Sequence, residues 1–420
     1  MSAVAGKTWF GQPRGLTILF LTQMWELFSY YGMRTLLVYY MTKQLLFAQD
    51  KASFIYGTYT AMAYFTPILG GAIADRWLGK RNAVVIGGSI MAIGHFVMAF
   101  EPMFYVALAT IALGNGLFLP SLPSQINDLY AADDPRRGRA YNVYYVGLNV
   151  GGLLAPLVCG TLGELYGWHY GFGAAGIGMF LGLVIYLAGR RYLPPEPVRF
   201  VQPVATPRDV RRGHRKVWWL LLGVGIAATI FRGAYEQIGN TLPLWIDTGV
   251  DRTWLGLTIP MTWFQSLNPL LVISMTPLLL LAWRRRADAG RERSPATRMA
   301  IGALVVAVAY LLLATVTALA GEARVDWPWV VAFFVILTLG ELYILPTGLG
   351  LFAKLAPPRL GATTVASWFL AIFSGSLLAG LVGTLWSKAS HPAFFLLLAA
   401  LAVIAAALLW RLDRPIRSLP

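Results

Sequence analysis

Apolar runs dominate the chain from Leu16 to near Leu409, cut at short intervals by charges and prolines. They divide into stretches near 15–42, 53–74, 82–100, 103–130, 140–163, 170–189, 217–246, 254–283, 299–320, 328–353, 361–387 and 392–410. A bilayer core is about 30 Å thick and a helix needs about 20 apolar residues to cross it, so each stretch predicts one membrane-spanning helix. The expected class is an all-α integral membrane protein with twelve transmembrane helices. A composition 57% hydrophobic and 13% charged over 420 residues agrees, and leaves no room for a large soluble domain.

Net charge is +15, which in a soluble chain would suggest nucleic acid. Here the positive-inside rule accounts for it. With the N-terminus cytoplasmic, only Lys43, Lys51, Arg252, Arg324 and Lys388 fall outside, Arg34 and Arg232 fall within spans, and all other Lys and Arg face the cytoplasm. Both termini are therefore expected inside, in a cytoplasmic (inner) membrane, with the basic loops against lipid headgroups and no nucleic-acid partner. The first apolar run is too long for a cleavable signal segment. Cys159 is the single cysteine, so no disulfide framework or Cys-based metal site is expected. His95, His169, His214 and His391 are scattered, and no nucleophile, nucleotide loop or metal spacing appears; neither an enzyme nor a cofactor is expected.

Five prolines among many arginines between Gly189 and Lys216 suit a linker. The expected organisation is a six-helix half over 1–190, a cytoplasmic linker over 191–214 and a second six-helix half over 215–420. Between spans two and three stands Gly71-x-x-x-Asp75-Arg76-x-x-Gly79-Lys80-Arg81. Glycines allow a tight turn, Asp75 can cap the next helix, and the cations hold the loop at the membrane surface. This motif, with the six-plus-six arrangement, resembles the major facilitator superfamily; the resemblance implies that fold and a midplane substrate site.

Further segments resemble the proton-dependent oligopeptide transporter family: Glu26-Leu-Phe-Ser-Tyr-Tyr-Gly-Met-Arg34, Tyr64-Phe-Thr-Pro through Asp75-Arg76, Gly114-Asn-Gly-Leu-Phe-Leu-Pro120, Trp263-Phe-Gln-Ser-Leu-Asn-Pro269, Gly340-Glu-Leu-Tyr through Leu355-Ala-Pro357, and Trp368-Phe-Leu. They run in order from span one to span eleven. Many bacterial members carry two additional helices between the halves, which a 28-residue segment cannot hold.

In span one, Gln23, Glu26, Leu27, Tyr30, Tyr31 and Arg34 recur at offsets of three and four, on one helix face. A charge facing lipid would cost about 2.5 kcal/mol or more, so this face is expected to look inward. The family's charged triplet reads Glu-x-x-Glu-Arg-Phe; here Gln23 and Leu27 remove two of its three charges, which implies weakened proton coupling. Glu26 is then a proton-coupling residue or a buried acid with a structural hydrogen bond. Arg34 is a clamp for a substrate carboxylate, a partner for an acidic gate residue in span seven, or a snorkelling cation. The family reinforces that clamp with a span-four lysine where this chain has Leu119, which departs from an ordinary dipeptide site.

Glu341 lies mid-span, five residues before Pro346, whose freed carbonyl can open the helix. The resemblance implies that it receives the substrate's amino terminus, with Asn149 and Asn268 beside it; the alternative for each asparagine is an interhelical hydrogen bond worth roughly 0.6 kcal/mol. Arg232 and Glu236 stand one turn apart in span seven, as proton-coupling or gate residues. Arg232 occupies a position more usually aromatic, and is expected to pair with Glu26 or Glu236, or to snorkel. Tyr30, Tyr31, Tyr64, Tyr145, Trp263 and Trp368 offer aromatic walls with polar tips. The expected function is secondary active transport of small peptides or peptide-like zwitterions by alternating access, in a monomer embedded in the lipid bilayer, with protons as the candidate coupling ion. The alternatives are a facilitator or exporter of another amine or carboxylate compound, and a non-transporting substrate sensor.

Overall fold

A computed structural model describes residues 8–9, 11–130, 134, 136–195, 215–291, 293–356 and 361–417. Twelve spans are found among them. Spans one to six are built on helices Arg14–Lys43, Gln49–Ile73, Lys80–Val97, Phe104–Asp128, Arg136–Ala155 and Trp168–Gly189. Span seven is Arg215–Tyr235 followed, after a break, by Thr241–Gly249. Spans eight to twelve are Leu267–Asp288, Pro295–Ala320, Pro328–Lys354, Gly361–Gly383 and His391–Arg417. Among the described residues, nine segments are long and apolar enough by composition alone to cross a bilayer. Spans one to three fall short because polar and charged residues interrupt them, including the span-one face that carries Gln23, Glu26 and Arg34.

The chain divides into two compact units, Met1–Tyr40 with Met62–Gln202, and Met41–Ala61 with Pro203–Pro420. Most of the linker expected over 191–214 lies outside the described residues. Helices in lipid associate through close packing of small residues, because apolar side chains gain little by leaving lipid for protein. Both units use that device at corresponding spans. Gly87 of span three faces Gly114 of span four, and Gly302 of span nine faces Gly340 of span ten; a Cβ at any of the four would stand 2.6 Å from the opposing carbonyl oxygen. The residue after each second glycine is polar: Asn115, whose amide donates to the Ala63 carbonyl at 2.9 Å, and Glu341. The crossing therefore fixes where these two side chains enter the protein interior.

Four local expectations are corrected. Asp75 does not cap span three: it lies in a π-helical turn, Ala74–Leu78, and the new helix starts after Gly79, whose φ of 80° makes the turn without a side-chain cap. The cations of that loop bind protein, with Lys80 on Asp128 at 2.8 Å and Arg81 donating to the carbonyls of Leu193 and Pro194. Span eight starts later than its apolar run, because Val250–Thr258 forms short strand pairs around a Gly256 turn and Met261–Ser266 is a 3-10 turn. Pro346 leaves span ten unbroken over Pro328–Lys354. The loss of one backbone hydrogen bond is tolerated in a helix whose neighbours hold it at Gly340 and at Gly348, where the Trp368 ring packs.

Candidate functional site

In the N-terminal unit, Glu26 is 1% exposed and accepts from Gln23 Nε2 at 2.5 Å, while the carbonyl oxygen of Gln23 accepts from the Tyr144 hydroxyl of span five. Close crossing of spans one and five allows this, since a Cβ at Gly151 would collide with the Met24 carbonyl. The chain Tyr144–Gln23–Glu26 contains no cation, and Glu26 makes no ion pair among the described residues. Leu27, where the family's triplet has arginine, is partly buried. The acid at Glu26 is therefore held by an amide, where the resembling family uses charge.

Arg34 lies two turns further along span one, 8% exposed, with its guanidinium 5.5 Å from the centre of the Tyr31 ring. Tyr31 in turn meets Tyr30 edge to face at 5.5 Å. Both tyrosines are partly buried, as is Tyr64 on span two. Asn149 on span five donates to the Tyr145 carbonyl of its own helix at 2.9 Å, so the interhelical bond expected as its alternative is not made.

The C-terminal unit holds the denser cluster. Glu341 Oε2 accepts from Asn268 Nδ2 at 2.6 Å, and the same amide reaches Thr338 Oγ1 at 3.1 Å. Tyr235 donates to Glu341 as well. Asn268 thus makes the interhelical bond and addresses the mid-span carboxylate at once. Its position at the start of span eight, just after the 3-10 turn Met261–Ser266, points it across to span ten. Trp263 in that turn is 43% exposed, whereas Trp368 is 4% exposed, set against Gly348 and 5.2 Å from the Phe352 ring.

Span seven breaks where its acidic residue sits. Glu236 opens a 3-10 turn to Ile238, and helix resumes at Thr241. Other spans satisfy the backbone and side chains around the break: Tyr310 donates to the Ala234 carbonyl at 2.7 Å, and Gln237 and Asn240 both donate to the Ala379 carbonyl, at 2.9 and 3.3 Å. Arg232, 5% exposed, forms an ion pair with Glu236, and Tyr56 donates to the other oxygen of Glu236 at 3.2 Å. Of the pairings expected for Arg232, the structure makes the one with Glu236; snorkelling is excluded by its burial.

A helical protein of twelve spans with mid-span carboxylates on spans one, seven and ten has counterparts among known proteins. The model of the POT family matches residues 81–199 and 200–397. The chain belongs to the POT family. This POT-family member is 31% identical to the peptide transporter YePEPT of Yersinia enterocolitica, over 99% of this chain and 96% of the relative. It is 29% identical to a di-/tripeptide transporter of Lactococcus lactis subsp. cremoris, over 98% and 97%. An uncharacterized transporter, YclF of Bacillus subtilis, is 30% identical over 99% and 97%. These alignments run over 480 to 496 positions, longer than the 420-residue chain, so the relatives carry segments that it lacks. Among solved structures, a POT family transporter in complex with 5-aminolevulinic acid superimposes with a TM-score of 0.90 at 25% identity, covering 98% of each chain. A peptide transporter POT in complex with sulfate gives 0.89 at 28%, with the same coverage. The POT-family member is thus a multi-pass membrane protein with the major facilitator fold of these transporters.

Tyr144 in the N-terminal unit, and Tyr56, Tyr235 and Thr338 in the C-terminal unit, join these polar clusters without a reading from the sequence alone. Thr338 was within reach of a helical reading, standing one turn before Glu341 on the same face. Tyr56 and Tyr144 carry no local signal, because each acts on a residue of another span.

Proposed function

We propose that the protein is a secondary transporter that carries small peptides or peptide-like zwitterions across the cytoplasmic membrane by alternating access, with both termini in the cytoplasm. The observation that carries this reading is Glu341, a mid-span carboxylate held by the neutral donors Asn268 and Tyr235 and so equipped to receive a substrate ammonium group. The relatives described as peptide transporters, and the solved relative holding 5-aminolevulinic acid, a small compound with an amine and a carboxylate, support the same substrate class. Arg34 is assigned the substrate carboxylate, because a planar guanidinium forms two parallel hydrogen bonds with it. Tyr30, Tyr31, Tyr64 and Trp263 provide rings around side chains of varied shape, Trp368 buttresses span ten, and Asn149 is a secondary polar contact. Glu26, in a neutral hydrogen-bonded chain, retains at most a reduced part of the family's proton coupling.

Uptake of a labelled dipeptide into proteoliposomes tests this directly. Substrate that binds but never crosses would leave a sensor, and transport of another amine or carboxylate compound in place of dipeptides would leave the facilitator or exporter alternative. One variant reads out the clamp. Leu119→Lys adds a second cation for the carboxylate, and a charge-assisted hydrogen bond contributes about 1.5 to 3 kcal/mol, so dipeptide affinity should rise roughly tenfold or more. An unchanged Kd in the folded variant would count against a carboxylate pole at span four.

A further inference from the structure

Span seven carries a permanent charge that its neighbours are shaped to hold. The aliphatic stem of Arg232 passes Gly375 of span eleven so closely that a Cβ at that position would collide with its Cβ and Cγ. The guanidinium lies 5.4 Å from the centre of the Tyr235 ring and is ion-paired with Glu236. Within the C-terminal unit, Arg232 of its own span, Tyr56 and Tyr310 are among the titratable groups that act on Glu236, and Glu341 lies beside them with Tyr235 donating to it. This cluster holds two carboxylates, one guanidinium and three phenols. Arg232 and Tyr56 engage the two oxygens of Glu236, whereas Asn268 and Tyr235 address Glu341.

A carboxylate deep in a membrane protein needs a cation, which can be a proton or a side chain. A proton must bind and leave. A guanidinium is charged at every accessible pH and stays on its tether. We propose that Arg232 is a fixed counter-cation that stands in for a bound proton at Glu236, leaving Glu341 as the carboxylate of this cluster that takes the substrate's amine. The C-terminal pole then completes its cycle without taking up a proton, and Gly375 is the residue that makes room for this arrangement. This inference rests on the transport reading above and deepens it.

Purified full-length protein provides a test that does not require transport. In Arg232→Gln, Glu236 loses its fixed cation within the unit, and the folded state should bind a proton that the unfolded state does not hold at the same pH. Stability of this variant should therefore be greatest at acid pH and fall as pH rises. The change is about tenfold in the folded-to-unfolded ratio per pH unit while that proton titrates, read as a melting-temperature difference from the parent between pH 5.5 and 8. Arg232→Lys should follow the parent, and the double variant Arg232→Gln/Glu236→Gln should lose the added dependence. Glu236→Gln alone gives the reciprocal test: the released Arg232 should compete for Glu341 and weaken binding of a free-amine dipeptide at least tenfold. In proteoliposomes, dipeptide counterflow by the parent should be flat over the same pH range, and that of Arg232→Gln faster at acid pH. A melting profile of Arg232→Gln parallel to that of the parent would overturn the proposal, as would an added pH dependence that survives in the double variant, or unchanged amine affinity in Glu236→Gln. Absence of dipeptide flux in the parent at every pH would instead refute the transport reading, with the melting profiles still deciding the role of Arg232.

Discussion

Glu341→Gln should abolish binding of ligands with a free amino group while leaving the protein folded. The substitution keeps the size of the side chain and a partner for Asn268, which donates to Glu341 at 2.6 Å, but removes the negative charge that an ammonium group would meet. A hydrogen bond between charged groups contributes about 1.5 to 3 kcal/mol, and leaving the ammonium without a counter-charge adds its desolvation cost, so a loss of at least one hundredfold is expected. Binding to purified variant and parent, with each dipeptide in free and N-acetylated form, separates this from a general defect. The parent should discriminate strongly between the two forms and the variant should not. Equal binding of both forms by the parent would remove Glu341 from the amine pole.

Gly340→Leu should destabilise the protein and disable the site together. A Cβ at residue 340 would stand 2.6 Å from the Gly302 carbonyl oxygen and equally close to a methyl group of Val306, so spans nine and ten would have to separate. Overpacking at a tight contact costs about 1 to 3 kcal/mol, and here the obstacle is backbone with no rotamer to yield. Glu341 is the next residue, so the displacement carries it away from Asn268. The melting temperature of the purified variant should fall markedly and amine-ligand binding should be lost. Gly173→Leu makes the comparison, because nothing lies within 4 Å of a Cβ at that position. Equal melting temperatures for the two variants would show that the glycine crossing does not determine the packing of these spans.

Most of the fold was legible because a spanning helix is a long, one-dimensional signal: some twenty apolar residues between charges. The failures occurred where the same apolar residues served another structure. Trp254, Leu255 and Leu257 read as the start of span eight, yet they are exposed in a hairpin whose turn needs the positive φ of Leu255 and Gly256. Glu341 and Asn268 were legible because a carboxylate in mid-span has few explanations and Pro269 marked the asparagine. Arg232 and Glu236 were legible as a pair from their spacing. What spacing could not decide was which of several acids Arg232 would meet, since that depends on Gly375 clearing space for its stem from span eleven. The break after Tyr235 was hidden for a similar reason: Tyr310 satisfies its Ala234 carbonyl, and Gln237 and Asn240 anchor it to the Ala379 carbonyl, through contacts between spans remote in sequence. The chain from Tyr144 through Gln23 to Glu26 likewise joins residues more than a hundred positions apart.

The proposed function requires that the protein move an amine-bearing, peptide-like zwitterion across the membrane. Counterflow in proteoliposomes of the purified protein tests it most directly. Vesicles are loaded with unlabelled dipeptide, the proton gradient is collapsed with an ionophore, and labelled dipeptide is added outside at trace concentration. Label should accumulate rapidly and transiently, saturate with substrate, be blocked by free dipeptide but not by its N-acetyl form, and fail to accumulate in Glu341→Gln. Specific binding of the labelled dipeptide to the protein, with no label entering the loaded vesicles, would contradict it.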